Sequence, residues 1–170
     1  MGNRLIFYDT SNFIDYPVGG QLTSIRNFLC FLKENFPEHS EDVLLVGVTT
    51  DPEEVGKLSS VSLDGIKYPF LAVTQATANL GEVKKSLRLE YMKGIWKYRK
   101  VIRIQKKDCN YIHTPEAFGA VRLIRPGAVC YVFSHGTYED MWQRVRFFQK
   151  APLIRKAFQK FLMHVIKKST

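Results

Sequence analysis

The sequence predicts an α/β fold: a Rossmann-like three-layer sandwich around a mostly parallel sheet. Three observations carry that reading. Residues 43–48 (VLLVGV) and 128–133 (AVCYVF) are near-continuous apolar runs, the signature of strands covered on both faces. Residues 21–36 place Leu22, Ile25, Phe28, Leu29, Leu32 and Phe36 three and four apart, which makes one face of a helix apolar. Apolar runs and amphipathic stretches then alternate along the chain, as in sheets built from strand–helix–strand units.

The elements follow in order. Residues 4–8 (RLIFY) form a short apolar strand that ends in the polar turn Asp9-Thr10-Ser11-Asn12. Pro17-Val18-Gly19-Gly20 is a flexible loop leading into the first helix, and Pro37 stops that helix. Strand 43–48 completes a βαβ opening. A turn at Asp64-Gly65 precedes a strand over 68–73. Residues 86–102 carry Leu87, Tyr91, Ile95, Tyr98 and Ile102 at helical spacing, with Lys and Arg opposite. Residues 110–113 form a short strand ended by Thr114-Pro115. A short helix over 117–124 is closed by Pro126-Gly127, and the buried strand 128–133 follows. Residues 138–148 are expected to be helical. Pro152 opens a last helix with Leu153, Ile154, Ala157, Phe158, Phe161, Leu162, Val165 and Ile166 on its apolar face.

At 170 residues the chain is expected to form one domain, 1–170, burying about 70% of its unfolded surface. Twelve Phe, eight Tyr and two Trp supply core material. No apolar run approaches the roughly 20 residues that span a bilayer. The first residues lack the layout of a signal peptide, so a cytoplasmic address is expected. Cys30, Cys109 and Cys130 lack CxxC spacing and read as small buried hydrophobes in a reducing compartment.

The net charge of +9 is concentrated in two segments. Residues 84–107 hold ten Lys/Arg against one acid, Glu90, and residues 142–170 hold eight Lys/Arg and no acid. Everything else carries seven bases and fifteen acids. Such clusters attract anionic lipid, phosphorylated ligands or nucleic acid.

In open α/β sheets ligands bind at the carboxyl ends of the strands. Segments 9–21, 113–116 and 134–137 fall there. Gly19-Gly20 lets the backbone approach a ligand, and the helix start behind it offers free N–H groups to an anion. His113 and His135 stand at strand ends, where an imidazole can reach a sugar hydroxyl or a phosphate. Ser134 beside His135 makes no triad, because neighbouring strand residues point to opposite faces. His39 lies among acids in a surface loop, and His164 is on the polar side of the last helix. The G-x-G-x-x-G and G-x-x-x-x-G-K-[ST] patterns are absent, which counts against a dehydrogenase or a nucleotide triphosphatase.

The order of these pieces resembles the amino-terminal, acceptor-side domain of the family-4-like GT-B glycosyltransferases. Residues 19–29 (GGQLTSIRNFL) are similar to that domain's glycine loop and first helix. Residues 109–116 (CNYIHTPE) resemble its "D-hydrophobic-hydrophobic-H-x-P" strand, and residues 132–136 (VFSHG) its strand ending in "H-G". The similarity covers most of residues 4–136.

The resemblance implies a retaining transferase that moves a sugar from a nucleotide-sugar to a glycan or lipid-linked acceptor. Gly19 and Gly20 would approach the donor's phosphates. His135 would sit at the transferring sugar as the catalytic position, and Asn12, His113, Glu116 and Gly136 would line the acceptor side. No metal and no further cofactor is expected. Glu82 and Glu90 share the family's E-x7-E spacing, but that motif belongs to the carboxyl-terminal half, so the match here is a coincidence. The donor-binding carboxyl-terminal domain is expected as the missing partner, and the 170-residue chain alone is expected to be inactive. Basic segments 84–107 and 142–168 are expected to rest on an anionic membrane surface, on its inner face.

Two other readings stay open. Tyr91, Trp96 and Tyr98 with Lys93, Lys97, Arg99 and Lys100 form a stacking and phosphate-binding face for nucleic acid, although Tyr91 and Tyr98 share the apolar helix face. A non-catalytic scaffold or partner domain that keeps the transferase fold is the other.

Overall fold

A computed structural model describes residues 3–16, 20–76 and 86–133, together with Leu153, Lys156, Ala157, Gln159 and Lys160. The chain divides into two compact units, 1–133 and 134–170. In the second unit the five described residues are helical, as the amphipathic pattern predicts, and Leu153 and Ala157 of its apolar face are exposed. Among the described residues no helix is long and apolar enough to cross a membrane.

The first unit is an α/β sandwich. Its elements are β1 (Leu5–Tyr8), α1 (Gly20–Asn35), α2 (Pro37–Ser40), β2 (Val43–Thr49), β3 (Leu58–Leu63), β4 (Ile66–Gln75), α3 (Leu87–Lys97), α4 (Arg99–Ile102), β5 (Cys109–Ile112), α5 (Pro115–Ile124) and β6 (Val129–Val132). The six strands lie in the order β3-β4-β2-β1-β5-β6. Only β3 runs antiparallel to its neighbour. Counted in chain order, the five parallel strands therefore stand third, second, first, fourth and fifth across the sheet. That order reverses between β1 and β5, where Leu5–Tyr8 pairs residue by residue with Cys109–Ile112.

Strand alternation divides the core into two layers. Phe7, Leu45, Phe70 and Ala72 face α1, which buries Leu22, Ile25, Leu29 and Leu32 against them. Tyr8, Val46 and Val73 point to the other face, where α3 and α5 lie. The Tyr91 hydroxyl on α3 donates to the Val46 carbonyl at 2.6 Å. Gly94 lies against the Val73 carbonyl so closely that a Cβ would overlap it. That approach explains a glycine inside a helix, where it costs about 1 kcal/mol relative to alanine.

Several expectations need correction. Residues 58–63 form a strand that the sequence does not announce. It pairs with β4 through a two-residue turn at Asp64 and Gly65, both at positive φ, the geometry that suits a tight hairpin. Residues 128–133 do form a strand, but β6 is the last strand in the sheet order and not a buried one: Tyr131 is 49% exposed, and Val129, Val132 and Phe133 are nearly as open. Cys30, Cys109 and Cys130 are half-buried instead of fully enclosed, and the Cys30 thiol donates to Asp64 Oδ2 at 3.3 Å. The helix expected over 86–102 is present but breaks at Tyr98. Phe36, expected on the apolar face of the first helix, lies beyond its end, exposed, against Phe31.

Candidate functional site

The reversal between β1 and β5 gathers buried polar groups at the carboxyl ends of these two strands. Burial of a polar group costs free energy unless it is bonded, so each member of the cluster has a structural account to settle.

From β1 the chain enters residues 9–16. Val48 N–H donates to the Ser11 carbonyl at 2.9 Å, which lays this loop across β2. It can lie there because residue 47 is glycine: a Cβ would strike the Ser11 carbonyl and the rings of Phe13 and Phe70. Phe13, at positive φ, drops its ring into the core edge-on to Phe70. Asn12 shapes the rest. Its Oδ1 accepts from the N–H groups of Ile14, Asp15 and Tyr16 at 3.0 Å, and its Nδ2 donates to Asp15 Oδ1 at 2.7 Å. The side chain expected to meet an acceptor is thus engaged in holding its own loop.

Asp9 stands at the end of β1, 3% exposed. Its Oδ1 accepts from Thr10 N–H at 2.8 Å and from Gln21 Nε2 at 2.5 Å. Burial pushes its carboxyl up to about 6, against the opposing pull of the Ser11 hydroxyl, the Thr10 N–H and the Arg88 charge. Gln21 lies in the first turn of α1, and the same Nε2 reaches the His113 carbonyl at 3.5 Å. One amide therefore spans the two strands at the reversal point.

From β5 the chain enters His113, Thr114, Pro115 and Glu116, the last two opening α5. The His113 ring is buried and stacks on Phe133 at 4.8 Å, nearly parallel. Glu116 is 2% exposed, and burial raises its carboxyl above the usual range while Arg88 pulls it down. Arg88 Nη1 approaches Glu116 Oε1 at 3.8 Å. Glu116 Oε2 and Thr114 Oγ1 are buried and accept or donate no hydrogen bond among the described residues. Two buried carboxylates thus face one arginine. Among the described residues no group of three His, Cys, Asp or Glu could hold a metal ion.

The structure brings together His113, Glu116 and, through its neighbour Gln21, Gly20. Gly20 is exposed and a Cβ there would meet nothing, so local packing does not require the glycine. Gly19, His135 and Gly136 lie outside the described residues. Sequence reasoning missed Asp9, Gln21, Arg88 and Thr114 as members of the cluster. A charged residue directly after an apolar strand was the available signal for Asp9; Arg88 had none, lying within a basic stretch. A cavity of about 700 Å³, lined by Ile104, Gln105, Lys106, Lys107 and Arg125, lies at the amino ends of β5 and β6, away from this chemistry.

Comparison with protein-family models, curated proteins and solved structures gives no match for this chain.

Proposed function

We propose that this chain is the acceptor-side domain of a retaining glycosyltransferase, which transfers a sugar from a nucleotide-sugar to a glycan or lipid-linked acceptor. The observation that carries the reading is the convergence at the β1/β5 reversal: His113, Thr114, Glu116 and the start of α1 meet there, tied by Gln21. A sugar is recognised by many directed hydrogen bonds, and Glu116 Oε2 and Thr114 Oγ1 are buried polar atoms with no hydrogen bond among the described residues. The amino terminus of α1 offers the partial positive charge that suits a departing nucleotide diphosphate.

In this reading Gly19 and Gly20 leave the helix start open to the donor's phosphates, and His135 stands at the transferring sugar. His113, Glu116 and Gly136 hold the acceptor. No metal is assigned a part. The donor itself is held, in this reading, by a second α/β domain.

The test is nucleotide release from a panel of nucleotide-sugars by the intact natural gene product. Turnover that falls at least a hundredfold in His135→Ala, with unfolding unchanged, supports the reading. No turnover with any nucleotide-sugar, by a product that carries a second α/β domain, contradicts it.

A further inference from the structure

We infer that the exposed face of α3 and α4 docks on an anionic lipid surface, with Trp96 seated at the water–lipid boundary. The two helices turn Tyr91, Gly94, Ile95 and Ile102 inward. Opposite them, Lys93, the adjacent pair Trp96 and Lys97, and Lys100 are related by three- and four-residue steps, all exposed, with Val101 and Arg103 exposed beside them. Residues 93–107 hold seven Lys/Arg and no acid. Glu90, which pairs with Lys93 at 2.9 Å, is the nearest acid on this helix.

A soluble helix of this kind needs no large aromatic on its solvent face. Trp96 is nevertheless 47% exposed, and Arg99 packs its guanidinium over the indole at 4.9 Å while bonding the Trp96 carbonyl at 2.9 Å. Lys97 likewise lies over the Tyr98 ring at 5.0 Å. Cations with aliphatic stems around an amphipathic ring form the pattern that binds lipid headgroups while the ring enters the interface.

The same charges could attract nucleic acid, but the stacking platform is missing. Tyr91 is fully buried and spends its hydroxyl on Val46, and Tyr98 is half-buried against Gly56. Of the three aromatics in the stretch, only Trp96 is open. Sequence-tolerant single-strand binding relies on successive exposed rings. The lipid surface is therefore the occupant that fits. This inference rests on a different face from the cluster at the strand ends and stands apart from the sugar-transfer reading.

The experiment is co-sedimentation of the full chain with vesicles of phosphatidylcholine alone and of phosphatidylcholine with 30% phosphatidylglycerol, at low and high salt. Binding is expected only to the anionic vesicles and is lost as salt rises. Each lysine near the surface is worth about a fivefold change. A Lys93→Gln/Lys97→Gln/Lys100→Gln variant, unchanged in circular dichroism, should therefore bind roughly a hundredfold more weakly. In a Trp142→Phe background, Trp96 emission should shift to the blue on anionic vesicles. Equal binding by the triple variant, an unshifted emission, or tighter binding to a single-stranded oligonucleotide than to vesicles at matched salt overturns the inference.

Discussion

Gln21 Nε2 donates to Asp9 Oδ1 at 2.5 Å and joins the first turn of α1 to the end of β1. The same nitrogen reaches the His113 carbonyl at 3.5 Å, so a residue of the first helix also touches the loop after β5. Remove it, and Asp9 keeps the Thr10 N–H inside a buried site without its amide partner.

Gln21→Ala is therefore expected to cost about 1–3 kcal/mol, the usual penalty for depriving a buried group of a bond. In a chain of this size each kcal/mol lowers Tm by about 2–4 °C. Differential scanning calorimetry at pH 7 checks this, and an unchanged Tm would show that Gln21 does not hold Asp9.

Stability should fall as pH rises through the slightly acid range. Asp9 is raised from 3.8 to about 6 in the folded chain, so between these values the folded state binds more protons than the unfolded one. Stability is then highest below pH 4 as far as this group is concerned. It declines through pH 6, by at most about 3 kcal/mol. Glu116 is raised by burial as well and acts with the same sign. Urea midpoints between pH 4.5 and 7.5 measure the slope; Asp9→Asn should flatten much of it and be more stable than the native chain at pH 7.5.

Gly47→Ala should be among the most damaging single changes. The added Cβ meets the backbone of Ser11 and two core rings, none of which is the free end of a flexible side chain. Overpacking of this kind costs about 1–3 kcal/mol. Loop 9–16 should lift from β2, which limited proteolysis would detect as new cleavage near Asn12. A native-like digest would contradict the role assigned to this glycine.

Glu116→Gln separates stability from binding. It removes a buried charge and keeps an acceptor oxygen, so unfolding at pH 7 should be unchanged or slightly harder. If the protein is a transferase and Glu116 meets the acceptor, the natural gene product carrying Glu116→Gln should show an acceptor KM raised about tenfold, as expected for the loss of a charge-assisted bond. A KM that does not move would assign Glu116 to the fold alone.

Much of this architecture was legible in the sequence, for physical reasons that also mark where legibility stops. β1, β2 and β4 are sandwiched between helices and carry continuous apolar runs, while α1 buries one face and carries a 3.6-residue period. β3 escaped because LSSVSL buries only Val61 and Leu63 and turns serines to water, a pattern close to that of a loop. The exposure of β6 was not readable from AVCYVF, since its place at the end of the strand order is decided by topology and not by its own residues. Of the expected site residues, His113 and Glu116 are close in sequence, just before and at the start of α5. Asp9, Gln21 and Arg88 are brought to them by strand order, which no local spacing records.

The most direct test of the central claim is the set of backbone amide shifts of the isotopically labelled chain on titration with nucleotide-sugars and with short glycans. If the β1/β5 reversal is the carbohydrate site of a transferase, shifts should concentrate at Asp9, Gly20, Gln21, His113, Thr114 and Glu116. Shifts confined to the basic cavity at 104–107 and Arg125, or no shifts with any sugar ligand, would contradict it.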